Sequence, residues 1–159
     1  MEVTKRDGTK ESFDIAKVKQ SIAYACEGTN ANPLELESRI DYFLKNGIKT
    51  SDIQLNIIEH AKQLASPENP EWLMVAGHAY AMHNSHSYKL KDKTFAEIVQ
   101  FVARQGYYDK SLLGSYSQED LDDLGNSIDH TRDLDCSYAA LVTNATKYQN
   151  KHELNQHMH

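Results

Sequence analysis

The 159-residue sequence predicts a mainly helical α+β fold, a four-helix bundle capped by a small three-stranded β-sheet and followed by additional helices. Three observations lead there. A hairpin signal opens the chain, four stretches of helical apolar spacing follow it, and a short β-compatible run falls between the second and third of them.

Glu2 to Arg6, Asp7-Gly8, and Thr9 to Phe13 read as a hairpin, because Asp-Gly readily takes the positive φ angles of a tight two-residue turn. Asp14 then caps a first helix, with Ile15, Val18, Ile22 and Ala25 at helical spacing and a stop at Gly28. Asn32-Pro33-Leu34-Glu35 supplies a cap, a proline at the first helical position and an early carboxylate. The helix it opens runs through Leu36, Ile40, Phe43 and Leu44 to Gly47. Ile48-Lys49-Thr50 is the expected third strand, since a hairpin alone is marginal. Ser51-Asp52-Ile53-Gln54 fits a capping box for a third helix with Ile53, Ile57, Ala61 and Leu64 on one face. Asn69-Pro70-Glu71 repeats the capping logic for a fourth, carrying Trp72, Ala76, Ala79, Tyr80 and His83. Polar and basic Tyr88 to Lys93 form a connection. Beyond it, Phe95, Ile98, Val99 and Val102 mark a helix ending at Gly106, and Ser117 caps another containing Leu121, Leu124 and Ile128. A last helix covers Ser137 to Tyr148. Tyr24, Tyr42 and Tyr80 are expected at the rim of the core. The chain thus divides into a first unit over 1–90 and a helical segment over 91–159.

Composition narrows the function. Hydrophobic residues at 40% and charged ones at 25% fit a globular protein able to bury a core. A net charge of −6 argues against a protein that coats nucleic acid or an acidic membrane. No apolar run approaches the roughly 18 residues needed to span a bilayer, and Met1 to Arg6 lack a signal-peptide core, so a cytoplasmic location is expected. Cys26 and Cys136 form no C-x-x-C pair and are expected as buried free thiols.

The informative residue is Lys17. It falls in the first turn after the Asp14 cap, where the helix dipole disfavours a cation by about 0.3 to 1 kcal/mol. Two readings are open. Lys17 pairs with Asp14 or Glu11 on a solvated surface, or it joins Lys5 and Arg6 around an anion such as a phosphate, which helix amino termini hold through unpaired N–H groups.

The stretch Val3-Thr4-Lys5-Arg6-Asp7-Gly8, with Glu11, Phe13-Asp14 and Lys17-Val18 behind it, resembles the opening signature of the ATP-cone family. Gly47-Ile48-Lys49-Thr50-Ser51-Asp52-Ile53 is similar to that family's second motif. Further on, Tyr107-Tyr108-Asp109, Leu112-Leu113, Ile128-Asp129-His130-Thr131-Arg132-Asp133, Ser137-Tyr138-Ala139-Ala140 and Lys147-Tyr148 resemble the segment after the cone in class I ribonucleotide reductase large subunits. The resemblance implies an allosteric site for ATP or dATP, accompanied by Mg2+, that sets overall activity in deoxyribonucleotide synthesis. It implies as partners the remainder of the large subunit, the small radical-generating subunit and a nucleotide-dependent oligomer, with no nucleic acid or membrane.

Carried over by resemblance, Lys5 and Arg6 contact phosphates. Glu11, Ser12, Phe13, Asp14, Ile15, Ala16 and Lys17 line base, ribose and phosphate edges, with Val18 beside them. Thr50 supplies a polar contact and Ile53 an apolar wall, and Asp52 matches a position tied to the dATP response. Two departures bear on discrimination between ATP and dATP: Asp14 stands where the family often has asparagine, and Gln54 where it often has histidine. His86 is the candidate for a basic residue late on the fourth helix and is left outside the assigned set.

Reduction in that family uses a set of cysteines in a later domain, which Cys26 and Cys136 cannot supply, so the chain alone is expected to be inactive. Truncation, a split gene or a fragment would account for its length. Two alternatives stay open: a helical docking module whose cone has lost nucleotide binding, and a cone-bearing transcriptional regulator, although no cysteine-rich ribbon precedes Val3. Metal sites are not expected. His152 and His157 are five apart, about 140° around a helix, unlike the same-face pair of His-Glu-x-x-His. His83 and His86 lack a third ligand.

Overall fold

A computed structural model of the chain describes residues 1–87, 93–129, 132 and 135–148. Strands β1 (Glu2–Thr4) and β2 (Lys10–Ser12) pair antiparallel, with Val3 opposite Glu11. Helix α1 (Ile15–Cys26) follows, its first turn capped by Asp14, whose Oδ1 accepts from the Ala16 N–H at 2.9 Å. Then come α2 (Pro33–Glu37), a 3₁₀ turn (Ile40–Tyr42), α3 (Thr50–Leu64) and α4 (Trp72–Ser87). The remaining helices are α5 (Phe95–Arg104), α6 (Leu112–Ser115), α7 (Gln118–Asn126) and α8 (Tyr138–Lys147).

The core is built where the apolar faces of three long helices meet. Val18, Ile22 and Ala25 of α1 pack with Ile53, Ile57, Ile58 and Ala61 of α3 and with Trp72, Val75, Ala76 and Ala79 of α4, all buried. Each large aliphatic side chain so buried contributes on the order of 2 kcal/mol. Val3 and Ile48 close the hairpin end. His78 is the buried polar exception among the described residues, and its Nδ1–H donates to the Ala25 carbonyl at 2.8 Å, tying α4 to α1.

Helix α8 returns to this bundle and lies along α4. Tyr138 meets Tyr80 edge-on at 5.6 Å, and the Lys62 ammonium sits 4.9 Å above the Tyr138 ring. Gly77 makes the approach possible: a Cβ there would collide with the Cys136 carbonyl and lie 2.8 Å from the Tyr138 nitrogen. The last helix runs where the sequence placed it, with Ser137 as its cap rather than its first residue. Thr94 and Ser117 cap α5 and α7 through reciprocal boxes with Glu97 and Asp120, and Phe95 packs on Gly125 where these helices meet.

Several expectations need correction. The hairpin connection holds three residues, Arg6-Asp7-Gly8, because only Gly8 takes a positive φ (+87°) and a tight two-residue turn with both central residues at positive φ needs two. The third strand is reduced to one parallel bridge between Thr4 and Lys49, since α3 already begins at Thr50. The sheet is therefore two-stranded. The second helix breaks after Glu37 into the 3₁₀ turn, so the bundle does not contain four full-length helices in its first part; Leu36 and Ile40 still reach the core at their expected spacing. Lys49, not Ser51, is the N-cap of α3, without a side-chain cap bond, and Ser51 instead donates to Asp52. Tyr42 is 81% exposed and is no part of a core rim, Tyr24, Ile15 and Leu124 face solvent, and α7 ends before Ile128. Cys26 is buried but Cys136 only half-buried. Most of the Tyr88–Lys93 connection, His130, Thr131 and Asp133 of the later motif, and the His152–His157 spacing lie outside the described residues.

Candidate functional site

Two hydrogen bonds fix the hairpin tip: the Lys5 N–H donates to the Thr9 carbonyl at 2.8 Å and the Gly8 N–H to the Lys5 carbonyl at 3.0 Å. Asp7 Oδ1 accepts from both the N–H and hydroxyl of Thr9, at 2.9 and 2.6 Å, which stiffens the turn. The base of β1 is held by the segment before α3. Thr4 N–H donates to the Ile48 carbonyl, Gly47 N–H to the Glu2 carbonyl, and Glu2 N–H to Asn46 Oδ1. The hairpin is thereby lodged between the amino-terminal ends of α1 and α3, with its two cations pointing to different neighbours.

On the α1 side, Glu11 lies between two lysines. Its Oε2 is 2.8 Å from Lys5 Nζ and its Oε1 3.3 Å from Lys17 Nζ. The hydrogen bond and charge of Glu11 raise the Lys5 pKa, and the bond from Lys5 chiefly holds the Glu11 carboxyl below its ordinary range. Of the two readings of Lys17, this is the surface pair with Glu11. Asp14 already places a carboxylate on the first turn of α1, so that helix end carries its own negative group.

On the other side, Arg6 spans to the bundle. Its Nη2 donates to Gln54 Oε1 of α3 at 2.7 Å, lies 3.3 Å from His83 Nδ1 of α4 and 3.5 Å from the His83 carbonyl. Guanidinium only donates, so this contact requires His83 to accept at Nδ1 and carry its proton on Nε2. Partial burial lowers the Arg6 pKa, the usual cost of taking a cation out of water. The crevice between α1, α3 and α4 beneath it, lined by Ser21, Gln54, Ile57, Ala79 and Met82, holds only about 10 Å³, the room of a single water.

The expected site residues therefore fall into two groups and a floor. Lys5, Glu11 and Lys17 come together, and Arg6 meets Gln54. Val18 and Ile53 are buried core residues beneath, Phe13 packs partly against that core, and Thr50 is half-buried in the first turn of α3. Ser12, Asp14, Ile15 and Ala16 stay exposed along the passage from β2 into α1. His83 was not assigned to the site, although its place on the inner face of α4, with Ala76, Ala79 and Tyr80, was the available signal. His86, by contrast, bonds Met82 of its own helix through Nδ1 at 2.7 Å.

Residues 1–86 match the model of the ATP cone domain family. The chain is also similar to the ribonucleoside-diphosphate reductase subunit alpha of Haemophilus influenzae, 34% identical over 92% of this chain and 20% of the relative. The reductase 1 subunit alpha of Escherichia coli K12 is 33% identical and that of phage T4 31%, each again over 92% of this chain and 20% of the relative. The chain thus spans about one fifth of the length of the curated relatives it matches, and likeness over 92% of it must run past the cone into the α5–α8 segment. Because the family model covers more than half of the chain and takes in the hairpin, its lysines and arginine, and the helices they bridge to, the chain belongs to the ATP-cone family.

Proposed function

We propose that this chain binds ATP or dATP at the hairpin and acts as the regulatory region of a ribonucleoside-diphosphate reductase α polypeptide, setting its overall activity. The observation that carries the reading is the set of three cations, Lys5, Arg6 and Lys17, borne by one hairpin and the helix after it within the ATP-cone match. Lys5 and Lys17 exchange Glu11 for phosphate oxygens, and Arg6 exchanges Gln54 and His83. Glu11 to Val18 line the ligand with Thr50, Ile53 and Gln54, and Mg2+ rides on the phosphates, as that ion commonly does. The crevice of about 10 Å³ leaves no room for a base, so binding includes a separation of the hairpin from α3 and α4. In this reading residues 1–90 are the regulatory unit and 91–159 lead toward the rest of the α polypeptide in the cytoplasm, where nucleotide governs assembly with the small subunit.

A thermal melt of the chain with no ligand, ATP, dATP and GTP, at constant salt and magnesium, tests this. Ligand at about 100 times its dissociation constant stabilises by roughly 2.7 kcal/mol, a rise of several degrees. Shifts with ATP and dATP but not GTP, lost in Lys5→Ala/Lys17→Ala with the unliganded melt nearly unchanged, are expected. No shift with any nucleotide up to millimolar concentration refutes the proposal. It would instead favour a second reading suggested by the closed crevice and by the Lys17–Glu11 pair, in which the cone only docks another polypeptide.

A further inference from the structure

Away from the hairpin, α5, α6 and α7 enclose an open apolar cavity of about 760 Å³, lined by Phe95, Val99, Leu112, Tyr116, Leu121 and Leu124. Leu124 is 55% exposed and Tyr116 54%, which is unusual for large apolar side chains gathered on one wall. The rim has one sign of charge. Asp120 and Asp123 line it, and Glu119 and Asp122 sit on the same helix. Residues 95–129 hold seven carboxylates against Arg104 and Lys110 alone, a net −5 of the whole chain's −6.

We infer that this groove is a docking surface for an amphipathic helix whose apolar stripe is flanked by lysine or arginine, supplied by the remainder of a reductase α polypeptide. The walls are helices, and the volume suits the several large side chains that a helix presents at i, i+3 or i+4, and i+7. The acidic rim selects a basic flank and disfavours an acidic one. The source of the helix rests on the reading given under Proposed function: the matched stretch is only 20% of each relative, and the groove lies inside the 92% of this chain that the match covers. The groove chemistry does not depend on nucleotide binding.

The test uses the full 159-residue chain and overlapping synthetic peptides tiling the Haemophilus influenzae α subunit outside the matched fifth, with binding read by fluorescence anisotropy. A cationic, helically amphipathic tile is expected to bind. Its affinity should fall about ten-fold with Leu124→Glu or Asp123→Lys, the loss of a well-placed anchor. It should also fall severalfold as salt is raised and the rim is screened. Both positions are exposed, and an unchanged helical circular dichroism spectrum confirms folding of the variants. Their ATP-dependent melting shift should match that of the unaltered chain, which separates this surface from the hairpin site. Absence of any binding tile, or binding indifferent to both substitutions, overturns the docking surface. An unrelated cationic amphipathic peptide binding as tightly as the best tile overturns the assignment to the reductase polypeptide.

Discussion

Replacing Gly77 by alanine probes the seat of α8 on α4. The added methyl would meet backbone on every side that matters: the Cys136 carbonyl, the Tyr138 nitrogen at 2.8 Å and the Ser137 carbonyl carbon at 2.9 Å. None of these atoms can rotate away as a side chain would, so the start of α8 must retreat by roughly 1 Å to bring the Cys136 carbonyl, the closest of them, back to ordinary contact, and a gap of that size forfeits about half of each dispersion well. Overpacking of this kind costs about 1 to 3 kcal/mol. Working against it, alanine is favoured over glycine within a helix by about 1 kcal/mol. The two contributions are separated by making the substitution twice, in the whole chain and in a chain ending at residue 129, which lacks α8. The helix preference is common to both. In the shortened chain Gly77→Ala should therefore raise the melting temperature, whereas in the whole chain the gain should vanish or reverse, the two responses differing by about 1 to 3 kcal/mol, or several degrees. Differential scanning calorimetry reads the shifts, and hydrogen exchange over Tyr138–Lys147 reads the loosening directly. Equal stabilisation in both chains would refute the claim that α8 is seated against Gly77.

The thiols should differ in reactivity. Burial pushes the Cys26 thiol up to about 11, with Glu37 adding to the effect, so in the native chain at pH 8 an alkylating reagent should modify half-buried Cys136 first and reach Cys26 only on unfolding; peptide mapping of labelled protein decides it, and equal rates would be inconsistent with the burial described. Acid should loosen the hairpin from α1. Because the folded pKa of Glu11 is depressed, chiefly by Lys5, its stabilising contribution is present above the ordinary glutamate value and is lost as pH falls through the lower folded one, so the Lys5 and Lys17 side-chain resonances should move only below the ordinary range. Glu11→Gln should abolish that acid step.

What the sequence made legible were features written in a few neighbouring residues. Asp14, Asn32 and Ser117 sit at helix starts because their side chains offer an acceptor to the next turn. Periodicity located Val18, Ile22, Ile57 and Ala76 in the core for the same local reason. The misreadings arose where two local solutions share one pattern. Leu36 and Ile40 reach the core whether the chain between them is one helix or a short helix and a 3₁₀ turn. Asp7-Gly8 suits both a two-residue turn and the three-residue turn with Gly8 alone in the left-handed region, and only the pairing of Thr4 with Lys10 decides between them. The site was half legible. Lys5, Glu11 and Lys17 lie close in sequence, but Arg6 finds Gln54 48 residues away and His83 77 residues away, contacts that exist only after α3 and α4 have packed. The last helix itself was legible, but its seat on α4 left only Gly77 in the middle of a helix as a local trace, and a glycine alone names no partner.

Because α8 returns to α4 across the whole stretch from 88 to 137, the packed unit around the hairpin is discontinuous along the chain, and its parts cannot assemble at once. Elements β1 through α4 find one another within their own 87 residues, whereas seating α8 closes a further loop of about 50 residues, an ordering cost on the order of 3 kcal/mol that must be met before any contact with Tyr80 or Lys62 repays it. Folding should then run in two stages, with the bundle formed first and the α8 clasp added last. On unfolding the order reverses: the clasp opens first, and α5 to α7, tethered at both ends while it holds, are released together.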